Sequence, residues 1–216
     1  VFDAVATNMA ATTYNMSVSK VGSPVTSGKI TGLKTGATVA FDSSISTGAT
    51  TDSADNATVT VTASADTITM NSNGGSMTTV TATGTDSAAA ADTKFDTDSD
   101  ASVTLTTTGG DMTIDATTAT TIVATSAGDI DGNTDDMAAA TSVTLTSAHE
   151  MDIGLDAATT ATLSGGGTTS STIDDVGATA AASTLTSLTL SGNGSAHVFD
   201  ITDSEGVSTV TFTGSQ

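Results

Sequence analysis

The sequence predicts an all-β fold, a parallel β-helix or β-solenoid of stacked 40-45-residue repeats. Three observations carry this reading. Four stretches align with one another: ATVTVTASADTITMNSNGGSMTTVTATG (Ala57–Gly84), ASVTLTTTGGDMTIDATTATTIVATSAG (Ala101–Gly128), TSVTLTSAHEMDIGLDAATTATLSGGG (Thr141–Gly167) and TSLTLSGNGSAHVFDITDSEGVSTVTFTG (Thr186–Gly214). Their first strand recurs at Val59, Val103, Val143 and Leu188, in steps of 44, 40 and 45 residues. Periods of this size mark stacked supersecondary units. Aromatics make up only 3% and Trp is absent, yet mean hydropathy is +0.11, so small aliphatics supply the core. Such a core fits the narrow gap between closely spaced sheets. Regular alternation of Val, Leu and Ile with Thr, and a single proline, argue against disorder. Tandem immunoglobulin-like β-sandwiches are the alternative, because two repeats approach the ~100 residues of such a domain. The missing Trp and the similarity at half that period weigh against them.

Residues 1–53 read as an irregular N-terminal β segment or first coil. They hold Lys20, Lys29, Lys34 and the only proline, Pro24, with strand signals at Tyr14–Val18, Lys29–Leu33 and Ala37–Phe41. A separate small β-domain or linker is the other reading. Residues 54–216 carry the β-solenoid repeats. In each, a first strand (Val59/Val61, Val103/Leu105, Val143/Leu145, Leu188/Leu190) is followed by a second. That one carries Ile68/Met70, Met112/Ile114, Met151/Ile153 or Phe199/Ile201. A third follows at Val80, Ile122, Leu163 and Val210/Phe212, and Gly, Ser, Asn and Asp turns separate them. A fourth strand is expected around Phe95, Ile130 and Ile173. A repeat is then one large coil of four strands or two coils of about 20 residues. Helix-friendly alanines occur only at Ser87–Asp92 and Asp136–Ala140, both too short to stand alone. The start lacks an initiator Met, and the last strand signal, Val207–Thr213, leaves no room for a cap. Both features are expected of a processed chain or of a piece of a longer one.

Four Lys and Arg face 24 Asp and Glu, a net charge of −20. That balance excludes nucleic acid as a partner, and no apolar run is long enough for membrane insertion. It favours divalent cations and blocks edge-to-edge pairing of strands. With no Cys there is neither a disulfide framework nor a thiolate metal site. Stiffness then has to come from stacking, metal or assembly.

The best local signal is Asp129-Ile130-Asp131-Gly132-Asn133-Thr134-Asp135-Asp136. Oxygen side chains at alternating positions with an early Gly are what a hard cation such as Ca2+ requires. The expected ligands are Asp129, Asp131, Asn133, Asp135 and Asp136. A second cluster, Asp96, Asp98 and Asp100, repeats the alternation, and Asp174 and Asp175 lie at the corresponding place one repeat later. The bland counterpart is a solvated acidic edge.

Thr-x-Thr rows (Thr58/Thr60/Thr62, Thr104/Thr106, Thr144/Thr146, Thr209/Thr211/Thr213) are the second feature. They are similar to those of ice-binding β-solenoids, but Thr also simply favours strands. The unequal steps between repeats argue against a regular ice-binding face. No catalytic set emerges around His149 and His197, so the chain reads as a non-enzyme. A polysaccharide-active β-helix is a remote alternative.

The Thr/Ala/Gly/Asp bias, the absent Cys and the recurrent VTLT-type strands resemble microbial surface-layer proteins and large secreted β-solenoid adhesins. Gly128-Asp129-Ile130 after an aliphatic ladder resembles the coils of filamentous haemagglutinin-type β-helices. The resemblance covers Ala57–Gly214. It implies a structural protein at the cell surface, extracellular, self-assembling with copies of itself and stabilised by Ca2+, with cell-surface polysaccharide as a second partner. An adhesin stalk or binding module is the alternative function.

Overall fold

The computed structural model describes residues 2–5, 12–18, 25–31, 38–43, 45–52, 57–63, 67–71, 77–84, 93–97, 102–132, 134–167, 170–174, 184–193, 197–202 and 207–214. Among the described residues, twenty strands alternate between two sheets. The odd sheet holds β1 (Phe2–Val5), β3 (Val25–Thr31), β5 (Ile45–Asp52), β7 (Thr67–Asn71) and β9 (Thr93–Thr97). It continues with β11 (Met112–Asp115), β13 (Ile130–Gly132), β15 (Met151–Gly154), β17 (Ser170–Asp174) and β19 (Val198–Thr202). The even sheet holds β2 (Thr13–Val18), β4 (Thr38–Ser43), β6 (Ala57–Ala63), β8 (Met77–Gly84) and β10 (Ser102–Thr107). It continues with β12 (Thr121–Ser126), β14 (Ser142–Ser147), β16 (Thr160–Gly166), β18 (Ser187–Asn193) and β20 (Thr209–Thr213).

Each strand pairs in parallel with the strand two before it and the strand two after it, the end strands of each sheet having one such neighbour, so the chain winds as a β-solenoid. One rung is one odd and one even strand, and a 40-45-residue repeat is two rungs. The fourth strands expected at Phe95, Ile130 and Ile173 are β9, β13 and β17. Parallel pairing throughout excludes the antiparallel sandwich alternative. The sheets run on across residue 53, since β4 pairs with β6 and β5 with β7.

Period-two alternation decides which side chains enter the core. Along β10 the pattern is half-buried and buried in turn, with Val103 and Leu105 inward. In-register stacking extends these into ladders: Val103–Ile122–Val143–Ala161–Leu188 and Leu105–Ala124–Leu145–Leu163–Leu190. Small residues sit beside large ones, with Leu105 flanked by Ala82 and Ala124. The odd sheet contributes Ile68, Phe95 and Ile114, then Met112, Ile130 and Met151, all buried. Among the described residues, Phe95 is the largest fully buried side chain. This is the jigsaw that a core of small aliphatics forms between two close sheets.

The two corners are built differently. Where an odd strand leads to an even one, tight turns close at Ala116–Ala119, Met137–Ala140 and Leu155–Ala158, each ending on a buried Ala. A Thr follows each Ala, and these stack. Thr141 donates its hydroxyl to Thr120 O at 3.2 Å, Thr159 to Thr141 O at 3.0 Å and Thr186 to Thr159 O at 3.1 Å. The long connections from β13 to β14 and from β17 to β18 fall at this corner, whereas the long one from β8 to β9 falls at the other. The helix-friendly stretch near Asp136 enters it as a single 3-10 turn, η1 (Thr134–Met137), that buries Met137. Ser87–Asp92 lies outside the described residues.

Unequal repeat lengths leave the even sheet in register from β10 to β20. Val143 pairs with Ala161 and Ala161 with Leu188, although the intervals differ by half again. The objection that unequal steps prevent a regular outer face does not hold for the even sheet.

Candidate functional site: a carboxylate row along the odd sheet

At the other corner an even strand ends on a buried hydroxyl, a short turn follows, and an acid precedes the next odd strand. Thr107, Ser126 and Ser147 are those hydroxyls. Thr107 Oγ1 and Ser126 Oγ lie 2.9 Å apart, and Ser126 Oγ accepts Gly128 N–H at 3.1 Å. Ser147 Oγ accepts His149 N–H at 3.0 Å and donates towards Gly128 O at 2.8 Å. Buried turn backbone is thereby satisfied without water.

The acids of this corner are Asp111, Asp129 and Glu150, each directly before an inward residue (Met112, Ile130, Met151). They stack and support one another. Asp111 Oδ1 accepts Asp129 N–H at 2.8 Å, and Asp129 Oδ1 accepts Glu150 N–H at 3.1 Å. His149 Nδ1 lies 3.5 Å from the same Asp129 oxygen. Outward residues of the neighbouring strands add Asp131 and Asp152, paired in register. These five carboxylates border a groove of about 240 Å3 that Thr113 also lines.

Asp96 follows a different course. It projects from β9, in register with Asp115 on β11. Lys94 Nζ lies 2.9 Å from Asp115 Oδ2. The hydrogen bond to Asp115 raises the Lys94 pKa from its ordinary 10.5, opposed by some burial and helped by the fields of Asp115, Asp96 and Asp136. A resident ammonium thus neutralises this part of the row.

The Asp129–Asp136 run is not one loop. Ile130–Gly132 is strand β13, with Ile130 and Gly132 inward and Asp131 outward, and η1 then carries Asp135 and Asp136 to the opposite corner. There Asp136 O accepts Ala116 N–H. Asn133, Asp98, Asp100 and Asp175 lie outside the described residues, and Asp174 closes β17. The fold brings together Asp129 and Asp131 from the sequence reading and adds Asp111, Glu150 and Asp152. The shared position of Asp111, Asp129 and Glu150, one residue before a buried Met or Ile, is the signal that identifies them.

Carboxylate oxygens are the donors a hard divalent cation prefers, and Ca2+ takes six to eight of them in a shell of about 2.4 Å. Among the described residues no three acidic or His side chains close into such a group. The donors match in chemistry, and their spacing is that of a charged row along the rungs. Of the two histidines, His149 is solvent-facing beside Asp129. His197 turns inward, its Nε2 2.8 Å from Ser171 Oγ.

No protein-family model, curated protein or solved structure matches this chain.

Proposed function

We propose that the chain is a structural element, a β-solenoid segment of an extracellular surface layer or filament that assembles with copies of itself. The observation that carries this reading is the repetition of one surface. From β9 to β19 every odd strand bears an Asp: Asp96, Asp115, Asp131, Asp152, Asp174 and Asp200. Every even strand from β10 to β20 presents Thr, and all but β20 also contain Ser. A surface that repeats rung by rung is matched best by another repetitive surface, and a second copy supplies one. The groove carboxylates repel one another along the rod, so Ca2+ screening of Asp111, Asp129, Asp131, Glu150 and Asp152 stabilises it.

The test is a thermal melt with particle sizing of metal-stripped protein, with and without millimolar Ca2+ and with Mg2+ as control. A Ca2+-specific rise in Tm with growth of particles supports the proposal. A higher Tm in particles that stay monomeric favours an adhesin stalk instead. No response to Ca2+ removes the metal from the account.

A further inference from the structure

The solenoid presents two chemically different sheet faces. Each odd strand from β9 to β19 carries an Asp. The eight even strands from β6 to β20 contain no charged residue, in a chain of net charge −20. From β10 to β20 their outward residues form three columns in strict parallel register. One is Ser102–Thr121–Ser142–Thr160–Ser187–Thr209, and the middle one is Thr104–Val123–Thr144–Thr162–Thr189–Thr211. The third contains Thr106, Thr125, Thr146, Ser164, Ser191 and Thr213. All of these side chains are half-buried or exposed.

We infer that this hydroxyl face of the even sheet is the interface between two copies. The inference rests on the self-assembly proposed above and names its surface. Charge selects the face. Bringing two odd sheets together would set their carboxylate rows against each other in a desolvated gap, which costs far more than it returns. Apposing the β6-to-β20 stretches of two even sheets brings no charge near another. Shape supports the choice, because the in-register parallel strands present rows made mostly of Thr, whose β-branched χ1 is already stiff, with Ser and Val123 at the remaining positions. Two such surfaces can interlock row into groove, as stacked parallel sheets do in dry zippers. Area is sufficient: eight strands at about 4.8 Å, with about five residues each at 3.3 Å, make a face on the order of 650 Å2. Each partner of a standard stable interface contributes about 800 Å2, with a spread of about a quarter.

Sedimentation velocity on the full chain over a range of concentrations tests this, with two variants of equal charge change. Thr125→Lys/Thr162→Lys alters exposed positions on the even face, and Thr172→Lys/Thr202→Lys alters exposed positions on the odd face. Circular dichroism and Tm establish that both are folded. The inference predicts that wild type and the odd-face variant associate, while the even-face variant stays monomeric at the highest concentration. Association that survives the even-face lysines, or is lost equally in both variants, overturns the interface and leaves self-assembly standing. A wild-type chain that never associates overturns both. If that monomer shapes growing ice crystals or retains on crystalline glycan, the face has a different occupant and the inference fails.

Discussion

The imidazole of His197 stands where a side chain at position 165 would otherwise go. A Cβ built on Gly165 would overlap the His197 ring at Nε2. The ring is held there by the 2.8 Å contact with fully buried Ser171 Oγ, which also accepts Met151 N–H at 2.9 Å. Phe199 closes it off edge-on, with ring centroids 4.8 Å apart. In the preceding rungs the same corner is filled by the hydroxyls of Thr107, Ser126 and Ser147. Gly165→Ala should therefore destabilise by more than about 1 kcal/mol through overpacking. His197→Ala should cost on the order of 1–3 kcal/mol by stranding Ser171 and opening a void. The double variant should be more stable than the sum of the two predicts, because the alanine methyl then occupies the vacated space. Urea midpoints at constant m-value measure the coupling, and strict additivity would remove the contact from the account.

The hydroxyl corner makes a separate prediction. Ser126 is 3% exposed, and its Oγ serves both Thr107 and Gly128. Ser126→Ala leaves the Gly128 N–H without its acceptor and should cost about 1–3 kcal/mol. Thr141→Val, at the solvent-facing Thr stack of the opposite corner, should cost less than about 1 kcal/mol because water replaces the lost bond. Equal effects from the two substitutions would contradict the difference in burial.

Asp129 has two roles that substitution separates. Its Oδ1 accepts the Glu150 N–H, and its charge adds to the groove. Asp129→Asn keeps an acceptor and removes a charge. In chelator it should match or exceed wild-type Tm, and with Ca2+ its rise in Tm should be smaller than that of wild type. Asp129→Ala should lose about 1 kcal/mol in both conditions, for want of the backbone acceptor. If Asn and Ala behave alike in chelator, the backbone hydrogen bond contributes nothing.

Lys94 gives a pH dependence with a definite sign. Its pKa is raised above 10.5, chiefly by the hydrogen bond to Asp115, so the folded state favours the charged form. The stabilisation is fully present below pH 10.5 and is lost as pH rises through the higher folded value. The side chain is 45% exposed, which limits the gain to at most about 1 kcal/mol. Lys94→Met should be slightly less stable than wild type at pH 7, and the gap should close above the folded-state pKa. A gap that widens with alkaline pH would contradict the sign.

Much of the fold was legible because one period-two rule serves every strand. Val103, Val143 and Leu188 mark a ladder, and Phe95, Ile130 and Ile173 betray the fourth strands. The sequence left one four-strand coil and two coils of about 20 residues both open, because connections of unequal length, such as the one that holds η1, blur the step from one rung to the next. The carboxylate groove was harder to read for a physical reason. Asp-Ile-Asp-Gly, which reads as alternating cation ligands, is also a strand with its acids outward and Ile130 in the core. Only pairing shows that Asp131 lies beside Asp152 and that Glu150 takes the place of Asp129 one rung on.

If copies associate as proposed, they meet through the even-sheet strands β6 to β20, which carry no charged residue. The chain has no Cys, so single spin labels can be placed without ambiguity at Thr146→Cys on the even face and Thr172→Cys on the odd face. Dipolar EPR on the associated protein should give intermolecular distances of about 10–25 Å for the label at 146, as expected for sheets stacked about 10 Å apart. It should give none in that range for the label at 172. Short distances at 172 with none at 146 would contradict the claim.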